Sequence, residues 1–263
     1  MTLLFNLENV PDLVRFLRTV EFADFLEKEN DVPTLLSLFR NSFEKLKDER
    51  MKAEIAGRAG RAHLIYLADV KTAEAYFNKV IGELKYNDFS TLRWGYIGMG
   101  DAHRYRGDYE KAREYYLKAS DIKIFDRNYA QNQARIGAFD RSVEDYLRRG
   151  ELEAATDDLA AWLWEYPMEH LAGRASVFLV RKYIMEGRFE LATHEAEALV
   201  RVDPKNNYAD QALKLASDAY LKLNKKKEAA AALQMLVEDY PESRYHSEAS
   251  KALENLKKVL PGS

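Results

Sequence analysis

Five histidines, His63, His103, His170, His194 and His246, are the side chains best suited to metal or acid–base chemistry in a sequence that has no cysteine. No two of them stand four residues apart around a glutamate, as a metalloprotease helix requires. Without cysteine the chain can have no disulfide scaffold, thiolate zinc site or cysteine nucleophile. His194 with Glu190, Glu195 and Glu197 comes nearest to an ion site, but the spacing reads as a solvated helix face. Gly95, Gly98 and Gly100 have the wrong order for a dinucleotide loop, and no Gly-Lys-Ser/Thr follows them. They and the pair Gly57 and Gly60 are expected to permit close helix contact instead. The carboxylate pairs Asp157–Asp158 and Glu195–Glu197 define no cleft, and Lys225–Lys226–Lys227 reads as a solvated turn. The sequence therefore assigns no catalytic residue, no metal and no cofactor, and an enzyme is not expected.

Composition narrows the class further. The 263 residues are 47% hydrophobic and 32% charged, a balance that suits a folded chain, and the 12 glycines and 6 prolines are few. The net charge of −3 lacks the basic excess with which a general nucleic-acid binder releases counterions. No apolar run reaches the roughly 18 residues that a membrane span needs. Residues 1–10 carry Asn6, Glu8 and Asn9 and no basic start, so they do not read as a secretory signal. With Met1 as the natural start a cytoplasmic protein is expected; removal of a signal would place it in the periplasm or envelope.

The scarce glycines and prolines fall on a period. Pro167, Pro204 and Pro241 are spaced by 37 residues, and the same interval links Tyr146, Tyr183 and Tyr220, then Gly150, Gly187 and Asn224, then Ala155, Ala192 and Ala229. Four columns in one register mark an internal repeat. Each unit reads as two helices, with the glycine supplying a left-handed turn inside the pair and the proline closing it. The alanines fall where the second helix crosses the first, and the tyrosines are their large partners. His103 occupies the tyrosine column, so it is expected in the core. The register runs back through Tyr96, Met99, Gly100, His103, Gly107, Tyr109, Ala112, Tyr116 and Ala119, with about six residues inserted between Asp121 and Gln133, and more weakly through Ala73, Phe77 and Val80. Before it, residues 12–29, 33–47 and 48–68 are expected to form three less regular helices.

The series Gly100, His103, Gly107, Tyr109, Ala112, Tyr116 and Ala119, followed by its copies, resembles a tetratricopeptide repeat over roughly residues 55–258. The 37-residue period and the ending Tyr240-Pro241-Glu242-Ser243 resemble the longer units of bacterial envelope proteins, such as outer-membrane assembly lipoproteins and the periplasmic Tol-Pal coordinator. The chain departs from the lipoproteins in lacking a lipid-bearing cysteine. The resemblance implies an all-α right-handed superhelix whose concave wall is lined by the first helix of each pair.

On that wall the groove candidates are Arg58 and Tyr66; Trp94, Asp101, Arg104 and Tyr105; Glu144 and Arg148 with Asp140; Arg174, Arg181 and Met185; and Lys214, Asp218 and Lys222. Arginines beside aromatics suit an acidic or mixed-charge peptide. Ala62, Asp101, Glu144, Arg181 and Asp218 stand where the chaperone-tail-binding members of the family would carry asparagines, so a carboxylate clamp is not expected. The sequence thus predicts an N-terminal cap (1–54), about five helix pairs (55–258) and a short tail (259–263) in one continuous domain. The expected function is non-catalytic protein or peptide binding as a scaffold or adaptor. Two alternatives are a homo-oligomeric module, formed through Trp94, Trp162, Trp164 and Tyr166 or through the apolar helix from Leu13 to Phe25, and a docking domain of a larger enzyme or envelope machine.

Overall fold

The computed structural model describes residues 10–83, 89–122 and 139–259, and these divide between two compact units. Unit 1 takes in residues up to 103 and 114–124; unit 2 takes in 104–113 and residues from 125 onward. All regular structure among the described residues is helical. The helices are α1 (Asp12–Lys28), α2 (Val32–Lys45), α3 (Glu49–Leu67), α4 (Val70–Asn78), α5 (Phe89–Arg106), α6 (Tyr109–Asp121), α7 (Phe139–Arg149), α8 (Leu152–Glu165), α9 (Arg174–Met185), α10 (Phe189–Val202), α11 (Ala209–Lys222), α12 (Lys226–Asp239) and α13 (His246–Val259). Helices α1 to α3 stand where the sequence places three early helices; α3 is also the first member of five helix pairs that α13 follows, so the expected boundary between cap and repeats at residues 54–55 falls inside it. The expected insertion after Asp121 lies almost wholly outside the described residues, as does the Asp140 side chain.

In unit 1 the helix starts are written in aspartates. The side chains of Asp31, Asp48 and Asp69 accept backbone N–H groups from Thr34 (3.2 Å), Met51 (3.0 Å) and Thr72 (3.1 Å), filling donors that a helix start leaves open. Asp12 reaches across the sequence to accept the Lys47 and Asp48 N–H groups at 2.6 Å each. Burial pushes its carboxyl up, yet these two bonds outweigh it and leave the group below its ordinary range.

The glycines of the α3 and α5 interfaces are spacers. A Cβ on Gly60 would lie 2.8 Å from the Phe77 ring, one on Gly98 2.3 Å from the same ring, and one on Gly100 2.4 Å from the Tyr116 ring. Gly57 differs from the expectation: a Cβ there meets nothing within 4 Å, because it sits off the contact face. His103 is buried in the tyrosine column as expected, stacked on Tyr115 at 5.4 Å with its Nε2 3.8 Å from Glu74.

Unit 2 repeats one turn at each hairpin. Gly150 and Gly187 have φ of +73°, and Asn224 has φ of 58°. In each turn the N–H one residue further on donates to a tyrosine carbonyl: Glu151 to Tyr146 (2.9 Å), Arg188 to Tyr183 (2.8 Å) and Lys225 to Tyr220 (2.9 Å). The 37-residue tyrosine column thus marks the backbone acceptors of the turns as well as a set of packing rings. Ala155, Ala192 and Ala229 are fully buried, which lets the helices of each pair cross closely. Between pairs, the Asn206 Oδ1 accepts the Tyr208 N–H (3.0 Å), its Nδ2 donates to the Leu171 carbonyl (3.1 Å), and Ser243 Oγ accepts the Tyr245 N–H one period later (3.1 Å).

Candidate interaction face

Within unit 2 the first helices α7, α9 and α11 carry ten of the expected groove residues together with the end of α5, and the structure sorts them into three groups. Arg104 and Tyr105 are buried, each 4% exposed, and do not line an open wall. The Arg104 guanidinium donates in a bidentate fork to Glu195 at 2.9 and 2.8 Å, and its Nη1 lies 3.4 Å from Ser176 Oγ. The Tyr105 hydroxyl donates to the same carboxylate at 3.3 Å, while Arg201 donates to the Tyr105 carbonyl. Gly107, with φ of +85°, admits this approach: a Cβ there would lie 2.7 Å from Arg201 Cγ.

That clasp corrects two readings. Glu195 is not on a solvated helix face, since α10 is covered on most sides and leaves only an ion-paired position for it. The placement of Arg104 and Tyr105 as exposed groove residues also fails, because their polar groups are spent inside the unit. No spacing could announce a partner 91 residues away.

The second group forms charge pairs on the surface of the first helices. Arg181 donates to Glu144 through two bonds at 2.6 and 3.0 Å, joining α9 to α7 one period apart. The hydrogen bonds from Arg181 hold the Glu144 carboxyl below its ordinary range, and those to Glu144 push the guanidinium up. Lys214 contacts Asp218 at 2.7 and 2.8 Å and Glu248 at 3.3 Å. Burial pulls the Lys214 ammonium down, but the two carboxylates outweigh it and the net displacement is upward. Arg174 is 3.5 Å from Glu169 and lies over the Trp162 ring at 5.3 Å; Arg148 pairs with Asp145. Glu248, absent from the expected set, falls one period after Gln211 in a column that the sequence already contained.

The third group faces outward. Met185 and Leu221 are 48% and 42% exposed, and Lys222, one period after Met185, is exposed as well. With Arg148 they give the column Arg148, Met185 and Lys222.

In unit 1, Trp94 is exposed, and Arg58 sits 3.6 Å from both Asp24 and Glu54. Asp101 accepts the Tyr116 hydroxyl at 2.8 Å, and Tyr66 is buried. Among the described residues no three His, Asp or Glu side chains gather as a metal ion would need, and no helix is long and apolar enough to cross a membrane.

The family model described as YfiO, outer membrane lipoprotein, matches residues 131–262, half of the chain. No curated protein matches the sequence as a relative. Among solved structures, the chain is similar to the yeast Sti1 TPR2AB domain in its pHSP90 complex, at 13% identity and a TM-score of 0.40 over 92% of this chain and 98% of that one. It is likewise similar to a tetratricopeptide repeat protein from Parabacteroides merdae, at 12% identity and a TM-score of 0.38 over 95% and 94% of the two chains. The helix pairs, their 37-residue register and the family match lead to one assignment: the chain belongs to the tetratricopeptide-type outer membrane lipoprotein family represented by YfiO.

Proposed function

We propose that the protein is a non-catalytic scaffold or adaptor that holds an extended protein segment along the first helices of unit 2. The observation that carries this reading is the outward column Arg148, Met185 and Lys222 with Leu221 beside it. Two apolar side chains about half exposed between two cations suit a segment of alternating apolar and acidic residues. The partner is mixed in character and not strongly acidic. Arg181 and Lys214 already hold the internal carboxylates Glu144, Asp218 and Glu248, and an incoming carboxylate must displace those to reach them. The groups left for a partner are chiefly the outward column, in which Arg148 shares its charge with the exposed Asp145 one turn away on the same helix. The family description supports a place in the bacterial envelope. No cysteine lies within these 263 residues to carry a lipid.

A photo-crosslinking residue introduced at Met185 tests the assignment, with Glu153 on the second helix α8 as the control position. Defined adducts at 185 that are absent at 153 and vanish in Leu221→Asp/Lys222→Glu are expected. Equal labelling at both positions, or none at either, would refute it.

A further inference from the structure

Helix α1 is turned inside out. Its four buried residues are Arg15, Thr19, Ala23 and Leu26, so two polar side chains point into unit 1. Thr19 is fully buried and satisfied twice, its hydroxyl 2.8 Å from the Arg15 carbonyl and 2.7 Å from Ser42 Oγ. The opposite face exposes Leu13 (54%), Val14 (42%), Leu17 (55%) and Phe25 (53%). Exposed apolar residues scattered singly are ordinary, but four on one stripe of one helix mark a contact surface.

The stripe also contains its own complement. Val14, Arg18, Glu21 and Phe25 stand at i, i+4, i+7 and i+11, so they share one line along the helix. When a second copy of the helix is laid antiparallel about the point between residues 19 and 20, Val14 meets Phe25 and Arg18 meets Glu21, each twice by symmetry. The half-buried Phe22 ring stacks on Phe25 at 5.9 Å and extends the apolar surface beside it. A parallel pairing would set Arg18 on Arg18 and Glu21 on Glu21, and an antiparallel pairing centred on Glu21 would set that carboxylate on itself. Only the first register satisfies both the apolar and the charged positions. In the single chain Arg18 and Glu21 already lie 2.7 Å apart on one helix, so pairing would convert two separate ion pairs into one four-membered cluster.

We propose that α1 is the contact helix of a two-fold symmetric dimer in which it pairs antiparallel with α1 of a second copy. One 17-residue helix, about 25 Å long, offers less than the ~800 Å² per partner of a standard interface, so association falls in the weak, concentration-dependent range.

Sedimentation equilibrium on the full chain between about 1 μM and 1 mM reads it directly, that being the span in which interfaces of this size populate both states. The expected result is a mass that rises from one chain to two. Arg18→Glu alone and Glu21→Arg alone each place like charges together and weaken the dimer about tenfold or more. Mixed in equal amounts, the two single variants restore opposite charges at every contact and are expected to form a heterodimer at wild-type concentrations. Val14→Asp, on the exposed face and opposite Phe25 of the second copy, is expected to leave a monomer with unchanged helical circular dichroism. A wild-type monomer throughout the range, a dimer that survives Val14→Asp, or charge variants that fail to rescue one another would overturn the proposal.

Discussion

Arg104 and Glu195 show how one residue pair decides what a surface is for. Both groups are out of water, and the fork geometry with the Ser176 and Tyr105 contacts satisfies most of what ionised side chains demand there. Removing one partner leaves a buried charge alone, so Arg104→Ala is expected to destabilise unit 2 by about 3–5 kcal/mol, while an Arg104→Met/Glu195→Leu replacement costs far less. Urea unfolding followed by circular dichroism measures both. The Glu144–Arg181 pair is much more exposed, and solvent screening holds its contribution to about 0.5 kcal/mol in a double-mutant cycle. Its pH dependence has a definite sign. The folded Glu144 carboxyl is depressed, so its contribution is present above the ordinary value near 4.5 and is lost as pH falls through the lower folded value. Wild type and Glu144→Gln should therefore converge in stability at low pH, as acid titrations of the unfolding midpoint would show. The sequence made the second pair legible, because opposite charges occupy one column one period apart. It concealed the first, since Glu195 stands among ordinary surface-like glutamates and its environment is set by neighbouring helices.

At the scale of elements, helix ends were the most readable feature. Aspartates before α2, α3 and α4 and the column Gly150, Gly187 and Asn224 fix starts and turns by local chemistry, so the boundaries need no tertiary information. What the sequence could not separate is the two uses of glycine. Gly187 has open space around it and a left-handed backbone, so Gly187→Ala is expected to cost about 1–2 kcal/mol, while asparagine, which already serves in that conformation at 224, costs less. Gly100 has ordinary helical backbone but a tyrosine ring against it. Gly100→Ala therefore acts through overpacking, at about 1–3 kcal/mol, and Tyr116→Phe on top of it offers little relief because the ring itself is the obstacle. Thermal unfolding of the four variants distinguishes strain in the turn from crowding in the pair. Polarity also misleads at this level: α1 keeps a helical pattern, yet its small and polar side is the buried one.

For the molecule as a whole, the repeat principle means that each helix pair is stabilised chiefly by its neighbours and that the last pair needs a cover. Helix α13 supplies one by packing on α12 and burying Ala249 and Leu253. Ending the chain at Tyr245 is expected to expose that surface, lower stability by about 2–4 kcal/mol and promote association, which size-exclusion chromatography and urea titration would detect. The clasp described for unit 2 has a consequence for the order in which the chain folds. Helix pairs close over short stretches of sequence, whereas the Arg104–Glu195 link joins residues 91 apart and must enclose a long loop. It is therefore expected to form after the pairs themselves, late on the route to the native state. Stopped-flow measurements on Arg104→Ala should then find refolding nearly as fast as in the wild type and unfolding markedly accelerated, so that the bond acts as a latch on the finished structure and guides none of its assembly.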